Sequence, residues 1–380
     1  MNATYKLHDL GQSLWLDNIT RELLSSGTLG RYLRDYAVTG LTSNPTIFDR
    51  ALRNGDEYDA AIRDKALARK SGEALFFELA LEDLGQAADL FRPIHEATDG
   101  IDGWVSLEVS PLLAHDAAAT IKAAVQLHAH AQRPNLFIKI PGTAPGLVAV
   151  EEAIFEGVPV NVTLLFSREH YLAAAEAYMR GIERRIAAGR SARVASVASV
   201  FVSRWDAAVK DRVSGELRNR LGVAVARRTY LAYRELLASV RWQTLAAAGA
   251  QSQRLLWAST GSKDPSASDV AYVETLAAPG TINTLPEATL LAYADHGEFK
   301  GVMPRDGGDA EAVLAQFAAQ GIDDQMLAAE LQREGTAAFA TSWNDLMWRI
   351  AAKKEVLAPV KQARTVRSWP SLRPRRRKPQ

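Results

Sequence analysis

Leu136-Phe137-Ile138-Lys139-Ile140-Pro141-Gly142 is a short apolar run that contains one cation and is stopped by a Pro-Gly pair. Side chains alternate across a strand, so Leu136, Ile138 and Ile140 share one face while Phe137 and Lys139 share the other. A strand lysine is costly to bury in its charged form unless it is paired or loses its proton. The plainer reading is a lysine at a frayed strand end, with its amine reaching solvent. What favours a buried role is position: the carboxyl end of a strand, just before turn residues, is where barrel enzymes keep their chemistry.

Working outward, seven further β-rich runs have the same character: SLWLD (13–17), TGLTSN (39–44), GWVSLEV (103–109), VPVNVT (158–163), VASVASVF (194–201), RLLWAS (254–259) and GTINT (280–284). Long Ala/Leu-rich amphipathic stretches separate them, and such alternation implies βαβ units around a parallel sheet. Eight strands favour closure into an α/β (β/α)₈ TIM barrel. Between strands, Leu113, Ala117, Ile121, Ala124 and His128 recur at helical spacing, which predicts a helix over 112–132 with Asp116 and Lys122 on its other face. His128 is expected on the apolar stripe, with its ring satisfied locally. The roughly sixty residues between the second and third runs leave room for extra helices beyond one crossover. More helices, from Asp309 to Ile350, are expected after strand eight.

The chain has 380 residues, 47% hydrophobic and 23% charged, close to the average for soluble globular proteins. It contains no cysteine, which excludes disulfides, thiolate metal sites and a cysteine nucleophile. The histidines are scattered, so no metal site is expected. No apolar run is long enough to span a membrane, and no signal-like start is present; the expected location is cytoplasmic. Residues 361–380 hold eight Lys or Arg and no acid, so residues 1–360 carry 37 basic against 44 acidic side chains, a net −7. We expect one barrel domain with helical insertions over 1–360 and a basic, disordered tail over 361–380, with no nucleic-acid partner.

The same alternation places polar residues inside the barrel on five strands: Trp15 and Asp17, Thr42 and Asn44, Ser106 and Glu108, Phe137 and Lys139, Asn161 and Thr163. Any one could be a satisfied core polar group. Together they resist explanation as packing, because barrel cores prefer Val, Ile and Leu. The types suggest amine catalysis: a partly desolvated lysine attacks a carbonyl to form a Schiff base, carboxylates shuttle protons, and asparagines orient hydroxyls. Walker phosphate loops, dinucleotide glycine fingerprints, zinc-protease histidine pairs and nucleophile elbows are all missing from the sequence.

GLTSNPTIF, GWVSLEVSP, FIKIPGT, VPVNVTLLFS, SVFVSRWD and TINTLPEATL together resemble the motif series of transaldolases, in order across residues 12–290, most closely the longer bacterial form. The resemblance implies a circularly permuted class I aldolase barrel with its Schiff-base lysine on the fourth strand, which is where Lys139 falls. By motif, Glu108 resembles the acid/base that works through a water held by Thr163, and Asp17 the group that exchanges a proton with the hydroxyl beside the cleaved bond. Asn44 and Asn161 match residues that bind the dihydroxyacetone unit. Ser199 and Phe201 match pocket-wall positions, and Arg204 a phosphate-binding arginine. Many members continue the seventh strand with Ala-Ser-Phe-Arg. Here AST is followed by GSK, so Ser259 with Lys263 is the candidate replacement for the second phosphate arginine.

The implied reaction is that of the pentose phosphate pathway. A dihydroxyacetone unit passes from sedoheptulose 7-phosphate to glyceraldehyde 3-phosphate, giving erythrose 4-phosphate and fructose 6-phosphate, with no cofactor. Sugar phosphates are then the partners, and a homodimer is allowed. Two alternatives stand beside this reading: a fructose 6-phosphate aldolase-type lyase and a non-catalytic sugar-phosphate-binding barrel. Related fructose 6-phosphate aldolases resemble this motif with glutamine where Glu108 stands, which favours the transferase. A silent barrel need not keep a lysine that is costly to bury.

Overall fold

The computed structural model describes residues 2–357. Eight strands, β1 (Ser13–Leu16), β2 (Val38–Thr42), β3 (Val105–Glu108), β4 (Leu136–Pro141), β5 (Val160–Leu165), β6 (Ser196–Phe201), β7 (Arg254–Ala258) and β8 (Ile282–Leu285), close in chain order into one barrel. Every neighbouring pair is parallel. The period-2 reading holds along β1, β3, β4 and β5. Leu14, Leu16, Val105, Leu107, Leu136, Ile138, Ile140, Val160 and Val162 pack outward against the helices. Trp15, Phe137, Val197, Leu256 and Ile282 fill the interior with Trp104.

Aromatic side chains share the lower barrel with aliphatic Val197, Leu256 and Ile282. Trp104 stacks on Phe137 with centroids 4.0 Å apart, and Trp15 lies 6.3 Å from Phe137. Gly40 makes room for this plug, because a Cβ there would sit 2.5 Å from the Trp15 indole. Beneath it, the buried Asp102 carboxylate accepts from Trp15 Nε1 at 2.8 Å and from the Ser13 hydroxyl. Arg254 donates to Ser13 Oγ at 2.7 Å, so Asp102, Ser13, Trp15 and Arg254 form one hydrogen-bonded cluster at the amino-terminal end of the barrel.

Extra helices stand where space for them was expected. Pro45–Asn54, Asp59–Leu67 and Gly72–Ala97 follow β2; Glu287–His296, Ala310–Ala319 and the 34-residue Asp324–Leu357, here called the closing helix, follow β8. The helix expected over 112–132 differs. Pro111–Leu113 is a 3₁₀ turn, Asp116 caps the helix proper by accepting from the Ala119 amide, and Ala117–Ala131 buries Thr120, Ala124, Leu127 and Ala131. His128 falls at the margin of this buried face. Its Nδ1 is buried with no hydrogen-bond partner among the described residues, and burial lowers its pKa, so the ring is not satisfied locally as expected. Among the described residues no helix is long and apolar enough to cross a membrane. The basic segment 361–380 lies outside the described residues.

Candidate active site

Register builds the site. Glu108 pairs with Lys139 between β3 and β4, and Lys139 pairs with Asn161 between β4 and β5. Three inward side chains thus stand at one height near the carboxyl ends of adjacent strands. Lys139 Nζ lies 3.4 Å from Glu108 Oε2, with the two side chains only 6% and 5% exposed. The amine also donates to the Ser43 carbonyl at 3.2 Å. The lysine is therefore buried and paired, and the frayed-end reading fails. Burial pushes the Glu108 carboxyl up to about 7; the Lys139 charge opposes that rise and the Asp17 charge adds to it.

Asp17 sits one residue past β1 and accepts from Thr42 Oγ1 at 2.8 Å, while the Thr42 and Thr284 hydroxyls share a second bond at 2.7 Å. Burial raises its pKa, and the charges of Lys139, Lys263 and Arg50 pull it back. A cleft of about 370 Å³ opens beside it, lined by Asp17, Thr20, Arg50, Tyr58 and Glu287 among others. On the other side, Asn161 donates to Ser106 Oγ at 3.2 Å and accepts from Ser199 Oγ at 2.7 Å. This chain of bonds fixes the amide's orientation. Thr163 Oγ1 is a buried oxygen with no hydrogen-bond partner among the described residues, and Glu108 Oε2 has only its ion pair with Lys139. Such groups are exceptions in folded proteins and mark places where a polar ligand can bind.

Asn44 differs from its reading as the inward partner of Thr42. β2 ends at Thr42, and Asn44 is the N-cap of Pro45–Asn54, its side-chain oxygen accepting from the Ile47 amide at 3.1 Å. An Asn before Pro is a natural helix start, and that local preference overrides the strand alternation. It still stands at the rim directly after the Ser43 carbonyl that holds Lys139.

The rim residues follow β6 and β7. Phe201 ends β6 against Phe166, with centroids 5.3 Å apart. Arg204 is the second residue of Ser203–Val209, and its guanidinium lies over the rings of Phe201 at 5.3 Å and Phe339 at 5.9 Å. Burial lowers its pKa and the charge of Glu334 raises it; no ion pair within 4 Å engages it among the described residues. Ser259 directly follows β7 in the left-handed region, φ +56°, with its hydroxyl 3.0 Å from that of Ser203. Lys263 is exposed and shares a second cleft, of about 260 Å³, with Ser203 and Asp206.

Sequence reading expected helices over Asp309 to Ile350 but not that one of them, the closing helix, packs across the site. Gln332, Gly335 and Phe339 on it face the carboxyl ends of β4, β5 and β6. A glycine inside an alanine-rich helical pattern was the available signal, since such a glycine is usually kept for close packing.

Comparison with known proteins places the chain in a family. The family described as Transaldolase/Fructose-6-phosphate aldolase matches residues 14–350. The transaldolase of Saccharopolyspora erythraea is 47% identical over 348 residues, covering 90% of this chain and 94% of that protein. That of Thermobifida fusca is 46% identical over 355 residues, covering 91% and 96%. That of Mycobacterium bovis is 43% identical over 358 residues, covering 92% and 96%. The buried Lys139–Glu108 pair thus sits within a match that spans the whole barrel, and the chain belongs to the transaldolase/fructose-6-phosphate aldolase family.

Proposed function

We infer that the chain is a transferase with transaldolase activity, moving a dihydroxyacetone unit between sugar phosphates through an imine on Lys139. The observation that carries this is the Lys139 amine, buried inside the barrel mouth 3.4 Å from a carboxyl that titrates near neutrality. An amine held there attacks the ketose carbonyl. Carbinolamine dehydration needs an acid that becomes a base on the return, and a carboxyl with a pKa near the working pH serves both directions. Asp17 takes the proton of the hydroxyl beside the bond that breaks. The imine draws off the electron pair, and the dihydroxyacetone enamine stays on Lys139 until glyceraldehyde 3-phosphate accepts it.

The unpartnered Thr163 hydroxyl and the Glu108 carboxyl hold one water that relays protons to the imine nitrogen. Asn44 and Asn161, with Ser199, hold the hydroxyls of the three-carbon unit, and Phe201 forms the wall beside it. Arg204, Ser259 and Lys263 bind the phosphate. The family also includes lyases, and glutamate at position 108 favours transfer. Residues 1–360 act as one domain with 361–380 as a basic tail, in the cytoplasm, with a homodimer compatible with these readings.

The test is mass spectrometry after borohydride reduction in the presence of fructose 6-phosphate. A three-carbon adduct on Lys139, together with transfer to an added aldose phosphate, is expected. An adduct elsewhere, or none, would overturn the reading; release of free dihydroxyacetone at the transfer rate would make it a lyase.

A further inference from the structure

Thr163 is the last residue of β5 before the backbone leaves strand geometry. Leu164 takes φ +59°, a left-handed conformation that non-glycine residues seldom adopt, and the pairing of β5 with β6 slips between Val162 and Leu165. A leucine has no intrinsic reason to stay there. Something outside the strand must hold it, because strained backbone persists only where its surroundings over-determine it.

The closing helix supplies that hold. Gln332 donates through Nε2 to two carbonyls at once, Leu164 O at 3.0 Å and Gly142 O at 3.1 Å. Leu164 follows Thr163, and Gly142 lies three residues beyond Lys139. The two strand ends are themselves joined by the Gly142 amide, which donates to Thr163 O at 2.7 Å. One amide group thus bridges the strand that carries the lysine and the strand that carries the unpartnered Thr163 hydroxyl. The helix comes close enough because residue 335 is glycine: a Cβ there would stand 3.0 Å from Leu164 Cδ2 and 3.3 Å from Arg204 Nη1.

We propose that Gln332 is a positioning residue for the reaction: by clamping the carbonyls of Gly142 and Leu164 it fixes the Thr163 hydroxyl relative to Lys139 and so sets the rate of imine formation and release. Gln332 touches no reacting atom. Its effect falls on kcat, since a small displacement of a proton-relay group costs rate rather than phosphate affinity. The proposal rests on the imine chemistry inferred above.

The test compares Gln332→Leu and Gln332→Met with the wild-type chain, two variants that keep bulk and remove the donor. Active sites are counted by exhaustive borohydride trapping with fructose 6-phosphate, and transfer to erythrose 4-phosphate and the time course of trapping are measured per trappable site. We expect kcat per site and the trapping rate to fall together by roughly 10- to 100-fold while KM changes by less than about threefold. A merely structural role would lower the count of trappable sites and the melting temperature but leave kcat per site unchanged. That result would overturn the proposal, as would a rise confined to KM. Two soluble variants guard against the misfolding of one. Absence of any adduct in the wild-type chain would instead strike at the imine reading itself.

Discussion

Glu108→Gln separates the two things burial does to this carboxyl. The folded chain holds it at about 7 from an ordinary value of 4.5, with desolvation the largest cause. Between those two values the unfolded chain has ionised this group and the folded chain has not, so the native state binds more protons and stability falls as pH rises. Full stability is present below about pH 4.5 and is lost as pH passes through about 7. At about 1.4 kcal/mol per pH unit, the wild-type chain loses on the order of 3 kcal/mol across that window. The glutamine variant does not titrate and escapes this loss. Urea unfolding of both proteins from about pH 4 to pH 8 should therefore show the variant gaining on the wild type as pH rises. Transfer should meanwhile drop about 10²- to 10⁴-fold, the usual worth of a general acid–base group. A stability difference that stays flat with pH would refute the desolvated-carboxyl argument. Unchanged transfer at every pH would reduce Glu108 to a structural partner of Lys139.

Lys139→Met should abolish transfer and borohydride trapping while the chain still folds, because the methionine fills the same space and removes a buried ammonium; activity within about tenfold of wild type would exclude the imine. Arg204→Ala should raise KM for phosphorylated substrates about tenfold or more, as expected when a charge-assisted contact is lost, and Lys263→Ala should do so more weakly and less at high salt. Unphosphorylated dihydroxyacetone donors are the control, and equal slowing of both substrate classes would rule the residue out as a phosphate ligand. Asp102→Ala should cost about 2–4 kcal/mol in denaturant unfolding without changing KM, because it orphans buried donors on Ser13 and Trp15 far below the lysine. Removing residues 361–380 should leave kcat within about twofold; loss of transfer in a folded, truncated chain would give the tail a role in the site.

What could be read from sequence is what depends on short-range periodicity. Phe137 and Lys139 must share a face whatever surrounds them, so the inward set of Asp17, Glu108, Lys139, Asn161 and Thr163 follows from strand alternation, while closure is read from the eight repeated βα units. Asn44 escaped because a cap before Pro45 obeys helix-start preferences that outrank the strand pattern. The helix start at Ala117 escaped because Leu113 fits the same spacing yet lies in a 3₁₀ turn. Gln332 could not be found at all. Its partners are backbone carbonyls 190 and 168 residues earlier, and nothing in a local pattern reports which way a long, mixed-face helix lies across a barrel. The near-neutral Glu108 carboxyl is likewise a sum over its whole surroundings, with Lys139 and Asp17 acting in opposite directions.

In the proposed mechanism, the charge balance of this layer favours transfer over leakage. Lys139 as an ammonium, and then as a protonated imine, keeps one positive charge beside Glu108 and Asp17, and that charge lowers the pKa of both carboxyls. Carbon–carbon cleavage turns the imine into a neutral enamine and removes the cation. Desolvation then acts on the two carboxyls without the Lys139 charge against it, so a proton that Asp17 takes from the substrate hydroxyl would be held more tightly in the pocket, although Thr42, Lys263 and Arg50 still oppose the rise. Protonation of the enamine carbon would free dihydroxyacetone, and it needs a stronger acid than these carboxyls have now become. The incoming aldehyde needs a proton only as its oxygen becomes an alkoxide, which is a far stronger base than an enamine carbon and can take the proton from Asp17. Addition restores the imine cation, lowers both carboxyl pKa values again and resets the site for hydrolysis through Glu108.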